Sequence, residues 1–75
     1  MDKNFIIYKK DTGKICRLQT GYRDTLDEAK IAIILQSDYP ETYQNLALLL
    51  IDEDKIGMNL SKYEVINGVL TEKTV

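Results

Sequence analysis

Phe5-Ile6-Ile7-Tyr8-Lys9-Lys10-Asp11-Thr12-Gly13-Lys14-Ile15-Cys16-Arg17-Leu18 consists of two β-forming runs around a turn. Asp11-Thr12-Gly13 is a three-residue connection, and its glycine can take the left-handed conformation that closes a type I turn with a G1 bulge. The flanking runs, Asn4 to Lys10 and Lys14 to Thr20, therefore read as a β-hairpin. Setting Lys10 opposite Lys14 places Tyr8 opposite Cys16 and Ile6 opposite Leu18, which gives one continuous apolar face. Phe5, Ile7 and Ile15 fall on the other face among Lys9, Arg17 and Gln19, so both faces are partly apolar.

The rest of the chain supplies what packs on this hairpin. Thr25-Leu26-Asp27-Glu28 matches a capping box, and a helix is predicted from Leu26 to about Gln36. Its apolar residues, Leu26, Ala29 and the run Ile31 to Leu35, spread wider than one face, which predicts broad burial against a sheet. Ser37-Asp38-Tyr39-Pro40 stops it, because proline disfavours helical geometry in the residue before it. Tyr43 to Lys55 admits two readings. Pro40 near the start and Gly57 past the end suit a second helix, whereas the short apolar run Leu46 to Ile51, bounded by Asn45 and by Asp52-Glu53-Asp54, suits a buried central strand. The strand is preferred. Tyr63 to Ile66 and Val69 to Glu72 are joined by Asn67-Gly68, a strong hairpin signal, with Val65 opposite Leu70 and Ile66 opposite Val69. Together these elements predict an α+β fold: an antiparallel sheet of four to five strands built from two hairpins, with one main helix packed on one face.

Seventy-five residues with no internal boundary read as a single domain over 1–75. Folding at this size buries only about 60% of the unfolded surface, which leaves little stability for a strained catalytic site. The start of the chain lacks the apolar core of a signal peptide, and the longest apolar runs are far shorter than a bilayer span, so neither export nor membrane insertion is expected. Cys16 is the only cysteine; a reducing, cytoplasmic site of synthesis and a core role for the thiol are expected. The net charge of −2 is split unevenly, +4 up to Arg23 and −6 from Asp24 onward, an asymmetry that could steer association with a partner or a second copy.

Without histidine, and with one cysteine, the triads and zinc sets built on those side chains cannot be assembled within this chain. The four glycines are dispersed, so no phosphate loop exists. Asp52, Asp54 and Gly57 match three positions of a calcium loop, but Ile56 and Tyr63 stand where oxygen ligands are required. Neither a metal, a cofactor nor catalytic activity is expected. Lys9, Lys10, Lys14 and Arg17 near Tyr8 make a basic face, yet the acidic remainder argues against nucleic-acid binding on charge grounds.

The run from Phe5 to Ile15, taken with Tyr63-Glu64-Val65-Ile66-Asn67-Gly68-Val69-Leu70, resembles small proteins of tailed bacteriophages and prophages, which often open with a Thr-Gly hairpin and end with a short tyrosine-containing one. The resemblance implies a non-enzymatic structural or assembly part, virion- or tail-associated, that makes protein contacts. The alternative is a small inhibitor or adaptor that binds one host or phage protein. For the contact surface, a helix covering only the Ile6 and Tyr8 face leaves Phe5, Ile7 and Ile15 as an apolar patch flanked by Lys9 and Arg17, the expected protein or homo-oligomer interface.

Overall fold

The computed structural model describes residues 3–55, 57 and 59–73; Met1, Asp2 and Ile56, which enter the readings above, lie outside them. Two strands, β1 (Lys3–Lys9) and β2 (Ile15–Tyr22), form the first hairpin, and one helix, α1 (Glu28–Asp38), follows. After a 3-10 turn at Tyr43–Asn45 comes β3 (Leu46–Ile51), and then β4 (Tyr63–Ile66) and β5 (Val69–Glu72) close the second hairpin. The strands make two antiparallel sheets, one ordered β2-β1-β3 and the other β4-β5, and the α+β class is as the sequence predicts.

Phe5-Ile6-Ile7 dictates this arrangement. A strand that is apolar on both faces must be covered on both, and these three side chains are the largest that are fully buried. On one face Phe5 and Ile7 pack with Leu35 of α1 and with Leu46. On the other Ile6 packs with Ile15 and with Val65 of the second hairpin. The three-stranded sheet is thus the middle of three layers, with α1 above and β4-β5 below.

The two hairpins are joined along a seam. The Val65 amide donates to the Gly13 carbonyl at 2.9 Å, and the backbones of Lys14 and Glu64 pair in an isolated antiparallel β-bridge. Gly13 has φ +76°, and a Cβ there would lie 2.2 Å from the Val65 carbonyl oxygen, so this glycine serves both the turn and the close approach. At the far turn Asn67 (φ 53°) and Gly68 (φ 77°) are both left-handed, as a type I′ turn requires, and the register is Val65 to Leu70 and Ile66 to Val69.

The first hairpin departs from its expected register. Ile6 opposes Leu18, but Tyr8 opposes Ile15 and not Cys16. The reason is the turn: the Lys9 amide donates to the Lys14 carbonyl and the Gly13 amide to the Lys9 carbonyl, so the loop closes one residue earlier than the Lys10 to Lys14 pairing assumed. A bulge between Ile7 and Tyr8 absorbs the difference. Ile15 consequently joins the Ile6 side of the sheet, and Cys16, expected in the core, is exposed.

The helix also starts later than the capping box implies. Its N-cap is Asp27, whose Oδ1 accepts from the Lys30 amide at 2.8 Å. Leu26 and Ile31 then occupy the positions of a hydrophobic staple, and both pack on the Phe5 and Ile7 cluster. Burial of α1 is narrower than expected, since Leu35 alone is fully buried while Ala32 and Ile33 are exposed. Asp27→Ala is expected to lower stability by about 1 kcal/mol, and Thr25→Ala to leave it nearly unchanged. Thermal melting of the two variants checks this; the reverse order would restore the capping box. Tyr39 caps the other end, its amide donating to the Leu35 carbonyl, directly before Pro40.

A candidate protein interface at the edge of the sheet

Leu46-Ala47-Leu48-Leu49-Leu50-Ile51 forms a strand, as preferred from the sequence, but the strand lies at the edge of its sheet and not in the centre. It pairs with β1 on one side, and among the described residues no strand pairs with the other. The Lys10 amide donates to the Asn45 carbonyl at 2.7 Å, which fixes the alternation of the ladder. Ala47, Leu49 and Ile51 direct their peptide groups to β1. Leu48 and Leu50 direct theirs outward, together with the Leu46 carbonyl; the Leu46 amide is taken by the Tyr43 carbonyl.

Exposed edges are usually blunted by charge, proline, bulges or a covering element. The opposite edge, β2, has such devices: two register shifts in its pairing, Arg17 within the strand, Gly21 at φ +70°, and the Lys14 to Glu64 bridge at one end. β3 carries no charge, no proline and no register shift.

The layers above and below stop short of this edge. On the helix side a groove of about 560 Å³ runs between α1 and β3, lined mainly by Ile31, Ala32, Tyr43, Leu46 and Leu48, with Lys10 and Glu28 also in its wall. On the hairpin side a groove of about 300 Å³ is lined mainly by Leu49, Leu50, Ile51, Val69 and Leu70, with Asp52 and Lys55 also in its wall. Leu50 is 55% exposed and Val69 62%. An incoming strand would therefore find backbone donors and acceptors in the plane of the sheet and apolar surface on both faces.

The two ends of β3 differ in charge. At its start the Lys10 ammonium donates to the Gln44 carbonyl at 3.3 Å. Beside it, hydrogen bonding from the Asn45 side chain, followed by backbone amides, holds the Asp11 carboxyl below the usual carboxylate range. At its end Asp52 leads into the 3-10 turn Glu53–Lys55, so three consecutive acidic residues precede one lysine.

The expected patch is not a surface. Phe5 is 1% exposed and Ile7 0%, both under α1, whereas Ile15 is 8% exposed on the opposite face beneath the second hairpin. Lys9 is exposed, and Arg17 is bound to Asp38 through Nη1 to Oδ2 at 2.7 Å and to Gln19 through Nη2 at 3.2 Å. The physical reason is that both faces of β1 are covered. The patch required one of them to be bare.

Among the described residues no three Cys, Asp or Glu side chains gather where a metal ion could be held, and no helix is long and apolar enough to cross a membrane. Comparison of the chain with protein-family models, with curated proteins and with solved structures gives no match to any of them.

Proposed function

We propose that this chain is a non-enzymatic contact-making protein that docks through the open edge of β3, in the manner of the structural or assembly parts its two hairpins resemble. The observation that carries the reading is an uncharged, unbulged six-residue edge strand with apolar grooves on both faces. Adding a strand to such an edge uses main-chain hydrogen bonds for affinity and side chains on alternate faces for specificity.

Leu50→Pro tests it. The Leu50 amide points outward, so proline there deletes no bond to β1 while removing a donor and obstructing any added strand. A tagged chain made in the cells that naturally produce it should co-purify with a protein that Leu50→Pro fails to retain. Incorporation of that protein into particles would mark a structural part, and a single soluble target at fixed ratio an inhibitor or adaptor. An unchanged set of co-purifying proteins would overturn docking by this edge.

A further inference from the structure

We infer that the occupant of this edge is a second copy of the chain, its β3 laid antiparallel against the first so that two three-stranded sheets become one. The inference rests on the edge-docking reading and adds the identity of the partner.

Backbone parity is the first support. A two-fold contact is isologous, so the strand must complement itself. Since Leu48 and Leu50 both present outward amide and carbonyl groups, a two-fold axis through Leu48 or through Leu49 sets outward donors against outward acceptors. All six side chains are uncharged, so no like charges oppose one another within the pairing.

Charge is the second. Antiparallel pairing brings the start of one β3 beside the end of the other. With the axis at Leu48 or Leu49, Gln44, whose carbonyl holds the Lys10 ammonium, comes opposite Asp52 or Asp54 of the second copy. Symmetry makes this contact twice. A parallel arrangement would instead set the acidic turn against its own copy, which is repulsive.

The covering layers agree with the same axis. A two-fold perpendicular to the sheet keeps the two helices on one side and the two second hairpins on the other. With the axis at Leu48, Leu50 of one copy falls opposite Leu46 of the other on the helix side of the sheet, beside its helix-side groove, which removes the exposed Leu50 from water.

Sedimentation of the purified chain is expected to give twice its 8.6 kDa mass. Leu50→Pro is expected to sediment as a monomer with an unchanged circular dichroism spectrum. Leu50→Lys, which keeps the amide and alters only an exposed side chain, should do the same if the proline variant fails to fold. Lys10→Glu should weaken association about tenfold or more at low salt, and adding Asp52→Lys and Asp54→Lys should restore it. A monomeric parent chain overturns the inference; if Leu50→Pro nevertheless loses a co-purifying protein, edge docking stands with another partner, and if it loses nothing both fall. A dimer that persists in folded Leu50→Pro and Leu50→Lys uses a different surface and also overturns it.

Discussion

Ile7→Lys is expected to abolish the folded state, with loss of the cooperative thermal transition and of the native circular dichroism. Ile7 lies at the middle of the middle strand, is fully enclosed, and packs with Phe5, Leu35 and Leu46, none of which offers a counter-charge. An unpaired ammonium in such a site costs several kcal/mol, after any shift of its protonation. The whole domain, at this length, has a stability on the order of 5 kcal/mol, so the substitution consumes most or all of it. Ile7→Val, which removes one methylene without adding charge, is the control and should cost about 1 kcal/mol. A folded Ile7→Lys protein with near-parental melting would mean that this face of β1 is open and that the helix does not cover it.

Gly13→Ala is expected to cost about 3 kcal/mol or more, and Gly68→Ala about 1 kcal/mol. Both glycines have φ near +76°, so the conformational penalty of a Cβ is common to the two. They differ in surroundings. A Cβ at Gly13 meets the Val65 carbonyl oxygen at 2.2 Å, a backbone atom that cannot swing away, whereas a Cβ at Gly68 meets nothing within 4 Å. The excess at Gly13 therefore measures the seam between the hairpins, where Val65 donates to the Gly13 carbonyl. Urea unfolding of the two variants side by side reads the difference. Equal costs would show that the second hairpin does not bear on this turn.

These contrasts show which parts of the fold were legible in the sequence. Local chemistry was: Asn67-Gly68 fixed a turn and with it the register of β4 and β5, and Pro40 marked the end of α1. Competition between local signals was less so. Thr25 and Asp27 are both good caps, and the packing of Leu26 and Ile31 on the core, a tertiary fact, decided for Asp27. At the first turn, one residue in loop closure moved Ile15 to the other face and Cys16 to the surface, because side chains alternate with a period of two.

The candidate site was the least legible part. Leu46 to Ile51 looks the same whether it is central or at an edge, since an uncharged apolar run satisfies either environment. Which strand is central depends on how Phe5-Ile6-Ile7 is covered, and that required knowing that the second hairpin packs beneath it. Apolar residues on both faces of the first hairpin are more than a single helix can cover, and α1 takes only the Phe5 and Ile7 face; Ile6 and Ile15 lie on the other. They were covered by the other hairpin, and the surface left open moved to β3.

Amide hydrogen exchange within β3 tests the central claim most directly, because its two sets of amides alternate along six residues. Ala47, Leu49 and Ile51, bonded to β1, should exchange slowly at every protein concentration. Leu48 and Leu50 should exchange fast in dilute solution or in the Leu50→Lys monomer, and slowly in concentrated parent protein, where a second β3 covers them. Rapid exchange of Leu48 and Leu50 at all concentrations, with their neighbours protected, would leave the edge unpaired and contradict the account.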